Sequence, residues 1–368
     1  MEIKVKKDLL VEALKRISGV VSLGRKTYCP AAQYVLFKAE NDGISLTATN
    51  LTITMRVMVE AEIVQEGSVA LAGHKLLKYI ELIDDDEIVI RDDKIIYGNA
   101  SSIFLSIPVD EYPEFSLEET EFISIESDDL KEIIKQTAFA ASTDGYRPNL
   151  AGVCFERNEQ FLRIIGTNGS RMAISQAQYC GNASVVDDSG RVIIPIEAVK
   201  EIARISGKDS NPVQIGIVGD KAIFKTCDAI LVTQLVDGQF PDYRPLVSAK
   251  NGKGSVVVEI NKDQLLCSLS RMKVIARDDT DKKMVITKDN SHLVFESNTH
   301  GGSVSEEVEI TEGNNDTFKV SLNYSYLSDA VKAVMSDTVQ LEVSNGKRSP
   351  LFIRGDGRSL HLVMPLVD

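Results

Sequence analysis

The chain carries three copies of one pattern, and no other feature of its 368 residues restricts the fold as severely. Each copy opens with an amphipathic segment introduced by a polar or acidic residue: "KKDLLVEALKRIS", "SDDLKEIIKQTAFAAS" and "NKDQLLCSLSRMKVIA", in register at Leu9, Leu130 and Leu265. Helical spacing predicts one buried stripe from Leu9, Leu10, Ala13, Leu14 and Ile17 in the first, and from Leu130, Ile133, Ile134, Thr137 and Ala138 in the second. A strand, a polar turn and a second strand come next: "GISLTATNLTITMRV", "FLRIIGTNGSRMAIS" and "HLVFESNTHGGSVSEEV". Second helices are predicted at "GHKLLKYIELI", "PIEAVKEIARI" and "NYSYLSDAVKAV", and strand pairs close each copy.

The ends of the copies locate the joints. "SIPVDEYPEF", Ser106 to Phe115, matches "QLVDGQFPDY", Gln234 to Tyr243, in position and character, whereas the third copy finishes the chain with "LVMPLVD". Three domains follow, at 1–120, 121–247 and 248–368. Each has two helices and several antiparallel strands, an α+β arrangement with helices on one side of the sheets. Three head-to-tail copies leave a dissimilar surface at each end. If each end matches the other on a second chain, the head-to-tail contact closes into a ring.

Charge bears on partners. The formal net charge of −13 argues, taken alone, against nucleic acid, because duplex affinity comes largely from Lys and Arg neutralising phosphates. Its distribution is uneven, however. Lys7, Lys15, Arg16, Lys75, Lys78, Lys131, Lys135, Lys200, Arg204, Arg271, Lys273 and Lys332 fall on the six predicted helices, against about half as many interior acids. The remaining acids gather at helix N-termini and in "IDDDE", "SLEETE" and "SEEVEI". The helical layer is thus the relatively basic part, suited to weak, sequence-independent phosphate contact, although solvated helix faces carry Lys and Arg in any protein.

Catalytic patterns are poor. Five cysteines, odd in number and never in C-x-x-C spacing, argue against a disulfide framework or zinc site and read as reduced cytosolic thiols. His74, His292, His300 and His361 have no ligand-spaced partners. "GTNGSR" lacks the form of both a phosphate loop and a nucleophile elbow, and "NGKRSP" reads as a turn. No signal-peptide core or membrane span stands out, so a cytoplasmic protein with neither cofactor nor metal is expected.

Taken with the three repeats, the strings "QLVDGQFPDYRPL", "GTNGSRMAIS" and "VMPLV" resemble the bacterial sliding clamp family, the beta subunit of the replicative DNA polymerase, over the whole chain. The resemblance implies a homodimeric ring of six clamp-type domains, with helices around duplex DNA and sheets outside. Processivity would come from topology, the polymerase being tethered and the ring opened by a clamp loader. It implies no catalysis. A groove for short peptide motifs is implied at Leu150, Thr167, Gly169, Arg171, Met172, Pro241, Leu246, Leu362 and Met364, continued by Arg147, Ser170, Asn323, Tyr326, Val363, Pro365 and Leu366. Many members carry T-D-G-H-R where this chain has Asn168 and Ser170, and Asp368 ends the tail. DNA-facing residues by the same reading are Arg25 and Lys26, then Lys75, Lys78, Lys131, Lys135, Lys200 and Arg204. Ile103, Phe104 and Ile275 would form the dimer interface, with Glu306, Glu307 and Glu309 facing Lys75. The alternatives are a non-catalytic repeat scaffold that binds peptides without encircling DNA and, more distantly, an enzyme.

Overall fold

All three repeat-opening segments are helical in the computed structural model, which describes residues 1–21, 29–40, 43–144, 146–181, 190–206, 211–248, 255–276, 282–289, 291–314, 316–343, 349–355 and 357–366. The helices are α1 (Lys7–Ile17), α2 (Gly73–Glu81), α3 (Ser127–Thr137), α4 (Ile196–Ile205), α5 (Arg244–Ser248), α6 (Lys262–Ala276) and α7 (Tyr324–Ala333). In α1 the stripe is Leu10, Ala13, Leu14 and Ile17; Leu9, expected inside, is 38% exposed, one position off the buried face. Arg16 is buried instead. Its Nη2 donates to Asp228 Oδ1 at 2.9 Å, which removes it from the basic surface. Burial alone would raise the Asp228 carboxyl, but the Arg16 guanidinium outweighs it and holds the group below its ordinary value.

Capping differs among the helices. Asn323 accepts from the Ser325 and Tyr326 amides at the start of α7, and Asn261 accepts from the Gln264 amide at the start of α6. Lys6 places no side-chain cap on α1, and the Ser127 hydroxyl donates to the Asn211 carbonyl at 2.6 Å.

The chain divides into two compact units that split the middle repeat. The first comprises Met1–Lys131, Tyr179–Asp187 and Glu197–Leu235, and the second Glu132–Gln178, Asp188–Ile196 and Val236–Asp368. Every strand pair among the described residues is antiparallel. In the first unit a nine-stranded sheet runs Ser106–Ile107, Gly67–Ala72, Tyr34–Glu40, Gly43–Thr49, Ile53–Val59, Ala229–Gln234, Lys221–Lys225, Val213–Val218, Ile123–Ile125. A five-stranded sheet runs Glu62–Gln65, Glu2–Lys6, Glu87–Arg91, Lys94–Tyr97, Ala100–Ile103.

In the second unit the nine-stranded sheet is Arg191–Pro195, Gly152–Arg157, Phe161–Thr167, Arg171–Gln178, Ser359–Val363, Leu351–Arg354, Thr338–Val343, Val256–Asn261, Glu312–Gly313. Its four-stranded companion is Gly302–Glu309, His292–Thr299, Lys283–Asp289, Lys319–Asn323.

Repeats therefore join by continuing a sheet. The strand after the polar turn in the first repeat pairs with the last strand of the second, with Met55 opposite Leu231. One repeat on, the same rule holds, with Met172 opposite Leu362. The strands that the rule would use next are sheet edges: Gly302–Glu309 of the third repeat and Ala100–Ile103 of the first. Among the described residues neither has a partner strand on its outer side, and the unmet backbone donors and acceptors of such an edge favour pairing with another strand.

Candidate peptide-binding groove and basic helices

One face of the second nine-stranded sheet brings Thr167, Met172 and Leu362 of the sequence-predicted groove together. Cross-strand register aligns Thr167, Met172, Leu362 and Phe352 in one row, and Ile165, Ile174 and Leu360 in the next. The linker Val236–Val247 lies on this face, packing Phe240 and Tyr243 against Met172, Phe352, Leu362, Cys154 and Ile193. Met364 is half-buried at the margin of that cluster. Pro241 and Leu246, on the same linker, remain exposed, so apolar surface stands beside the packed row.

The hairpin that bounds the site is built from its own polar side chains. Asn168 Oδ1 accepts from the Ser170 and Arg171 amides at 2.9 and 3.0 Å, and Thr167 Oγ1 donates to the Arg171 carbonyl at 2.7 Å. Gly169 takes φ +90°, which a side chain at this position would strain. The Asn168 carbonyl oxygen holds the turn, and its amide Nδ2 donates to the Tyr326 hydroxyl at 3.2 Å.

Arg171 organises the polar half. Nη1 donates to Asp329 Oδ2 at 2.6 Å and Nη2 to the Phe139 carbonyl, while the guanidinium lies 4.6 Å from the Tyr326 ring centroid. Asn323 serves this wall indirectly, through the α7 cap that sets Tyr326. Ser170 is exposed, and its carbonyl accepts from the Met364 amide at 2.8 Å; the Leu366 amide donates to the Ser321 carbonyl at 2.8 Å. Met364, Pro365 and Leu366 are thereby held as a half-buried strip. Leu150 is buried under the one-turn helix Pro148–Leu150, and Arg147 before it is exposed.

Val363 departs from the expected lining. Strand alternation turns it away from Leu362 and into the other core, with Val258, Leu351 and Ile353, where it is fully buried. Tyr146 went unmarked in the sequence, yet it is 96% exposed beside Arg147.

The basic residues are distributed unevenly in use. Lys75 and Lys78 on α2, Lys131 and Lys135 on α3 and Lys200 on α4 are exposed. Arg204 is exposed but occupied: Nη1 donates to Glu201 at 2.9 Å and Nη2 to the Lys15 carbonyl at 2.8 Å. Lys15 pairs with Glu81 at 2.9 Å, and Arg271 with Glu306 through Nε at 2.7 Å. Several cations of the helical layer thus meet acids of the same chain. Arg25, Lys26 and the Val367–Asp368 tail lie outside the described residues.

At the edges, Ile103 is 74% exposed, whereas Phe104 is half-buried against Tyr79, 5.3 Å between ring centroids. Ile275 is half-buried too, and its carbonyl accepts from Thr299. The conspicuously exposed apolar side chains there are Leu105 and Val274, at 71% and 74%. Neither stood out by periodicity; exposure at an open edge is a tertiary property. Among the described residues no group of three or more His, Cys, Asp or Glu could hold a metal ion, and no helix is long and apolar enough to cross a membrane.

Comparison with known proteins agrees along the whole chain. Family models of the DNA polymerase III beta subunit match in order: the N-terminal domain at residues 1–116, the central domain at 124–242 and the C-terminal domain at 252–366. A beta sliding clamp of Chlamydia muridarum is 26% identical over 377 residues, covering 100% of this chain and 99% of the relative. A DNA polymerase sliding clamp from Bacillus subtilis superposes with a TM-score of 0.89 at 23% identity, covering 100% of this chain and 99% of that one. A Pseudomonas aeruginosa sliding clamp bound to griselimycin also gives 0.89 at 23% identity, with both chains covered in full.

Proposed function

The chain belongs to the DNA polymerase III beta-subunit family, and on that premise we propose that it is a DNA sliding clamp. Two copies close head to tail into a ring that encircles duplex DNA without reading its sequence. The replicative polymerase, the clamp loader and other factors are held through short peptides in the groove. The repeats divide at 1–120, 121–247 and 248–368, and the protein works in the cytoplasm, without a cofactor or catalysis of its own.

The observation that carries this reading is the joining rule of the repeats. Two successive sheets join the strand after the polar turn of one repeat to the last strand of the next. Among the described residues the remaining strand of each kind is an open edge, so a second copy offers its own Ala100–Ile103 to Gly302–Glu309. Ile103 and Leu105 on one edge, and Val274 near the other, supply the apolar contact. Because the two edges differ, the contact is heterologous and closes only as a ring.

Retention then needs no tight DNA contact. A few exposed lysines per helix neutralise phosphates weakly, which permits sliding, and the net charge of −13 keeps the rest of the surface from competing. In the groove, half-buried Met364 and exposed Leu246 take apolar side chains, while Arg171 and Asn168 fix the walls.

The protein loaded onto nicked circular DNA should stay bound through gel filtration and be released on linearisation; equal retention on linear DNA would refute encirclement. Sedimentation should give about twice the 40.4 kDa protomer mass. In the groove, Met364→Ala should weaken binding of an apolar peptide about tenfold, and Arg171→Ala at least as much through loss of the Tyr326 wall. Unchanged affinity in both would place the groove elsewhere.

A further inference from the structure

The edge strand Ala100–Ile103 is only four residues long and, among the described residues, is paired on one side alone, with Lys94–Tyr97. Of Ala100, Ser101, Ser102 and Ile103 only the last is a strong strand former, and its side chain is 74% exposed. Such a strand frays unless something behind it holds it, because one row of its backbone donors and acceptors has no strand to pair with. Here the support is α2. We propose that Tyr79 on α2 is a positioning residue for ring closure. With Tyr97 and Ser102 it holds the Ala100–Ile103 edge in the extended form to which the Gly302–Glu309 edge of a second copy pairs, a role that rests on the ring reading above.

Tyr79 grips the edge at two successive inward positions. Strand alternation turns Ser102 and Phe104 to the side of α2 and Ile103 to the other. The Tyr79 hydroxyl shares one hydrogen bond with Ser102 Oγ and another with the Tyr97 hydroxyl, the latter at 2.7 Å. Its ring meets the Phe104 ring edge-on, 5.3 Å between centroids and 73° between planes, and the Tyr97 ring at 6.1 Å and 68°. Tyr97 lies opposite Ala100 in the ladder, so the network reaches both ends of the strand. The backbone extends the hold: the Phe104 amide donates to the Asp93 carbonyl at 2.8 Å, and the Leu105 carbonyl accepts from the Ala72 amide at 3.0 Å. Ile103 and Leu105 are left exposed for the contact with the second copy.

Pairing two edges costs conformational entropy, and an edge already held extended loses less of it on association. Hydroxyls suit this task better than apolar packing would, because Ser101 and Ser102 keep the free strand polar and so discourage unspecific strand pairing. A ring of two copies contains the contact twice. A loss at one edge therefore counts twice in the dimer dissociation constant.

The test uses the full-length protein labelled with fluorescein, sedimented over a dilution series with fluorescence detection to give that constant. Tyr79→Phe keeps the ring against Phe104 and removes only the hydroxyl. At about fivefold per contact, the usual effect of losing a neutral hydrogen bond, it should raise the constant about 25-fold. Ser102→Ala should act alike, and the double variant should add little to either single change. Ser102→Thr, which restores a hydroxyl, should bring the constant back to within about threefold of native. Amide exchange read by mass spectrometry should show Ala100–Ile103 of the dissociated Tyr79→Phe protomer exchanging faster, with Glu87–Arg91, in the middle of the same sheet, unchanged. A general loss of stability would speed both. If the native protein dimerises but Tyr79→Phe leaves its constant within about twofold, or the two changes are fully additive, the proposal is overturned and the ring reading stands. A native protein that sediments as the 40.4 kDa protomer at every concentration overturns the ring reading and the proposal with it.

Discussion

The two joints between repeats use one device, aromatic–proline–acid–aromatic, with the hydroxyl moved from the first ring to the second. The first joint reads Tyr112, Pro113, Glu114, Phe115, and the second Phe240, Pro241, Asp242, Tyr243. Tyr112 and Phe240 are both buried on a nine-stranded sheet, each in its own unit. Where the hydroxyl sits decides what closes the joint. Tyr112 donates to the Thr47 carbonyl at 2.9 Å and the Tyr34 carbonyl at 3.3 Å, so the first joint is sealed by neutral backbone. Phe115 has no hydroxyl, and the Arg56 guanidinium covers its ring at 4.4 Å. Tyr243 instead donates to Glu156 Oε2 at 3.0 Å, accepts from Arg163, and has Arg191 5.4 Å from its ring centroid. The second joint is thereby tied into a charged cluster and continues into α5, which carries Leu246.

If the first joint is structural and the second also functional, removing the first ring separates them most sharply. Tyr112→Ala and Phe240→Ala should each cost about 3–5 kcal/mol, the usual loss for a buried aromatic, measured by urea unfolding. Only Phe240→Ala should also weaken apolar peptide binding, because Phe240 packs in the cluster with Met172 and Leu362. An equal loss of peptide affinity in Tyr112→Ala would mean that the joints do not differ in role.

The likeness of the joints could be read in the sequence, because both are short local strings whose order survives alignment. Helix stripes and hairpins were legible for the same reason: periodicity is local, and even the misplaced Leu9 is an error of one position on a correct helix. The sheet continuation was not. The pairing of Met172 with Leu362 spans 190 residues, and register at such separation depends on packing. Val363 stands among groove residues in "LVMPL", yet strand alternation sends it to the other face.

Deleting only the hydroxyls gives the smallest and most discriminating change. Tyr112→Phe should cost about 1 kcal/mol, the net value of a neutral hydrogen bond, and Tyr243→Phe about 1.5–3 kcal/mol, because its acceptor is a carboxylate. Equal costs would mean that Arg163 and Arg191 satisfy Glu156 without the phenol. Alkaline titration checks the same contrast. Burial pushes both phenols up, and at Tyr112 the nearby Cys29 adds to it; at Tyr243 the Arg163 guanidinium opposes burial. A folded value raised above the unfolded one, near 10, adds stability in full below about pH 10, and this is lost as pH rises through the folded value. Absorbance at 295 nm should therefore show Tyr112 ionising late, above the ordinary tyrosine range, together with unfolding of the first unit. In Tyr112→Phe that late step should disappear, and the residual alkaline loss of stability should become shallower. A Tyr112 that titrates near pH 10 in the folded protein would show that its joint admits water, and the contrast with the second joint would have to rest on the arginines alone.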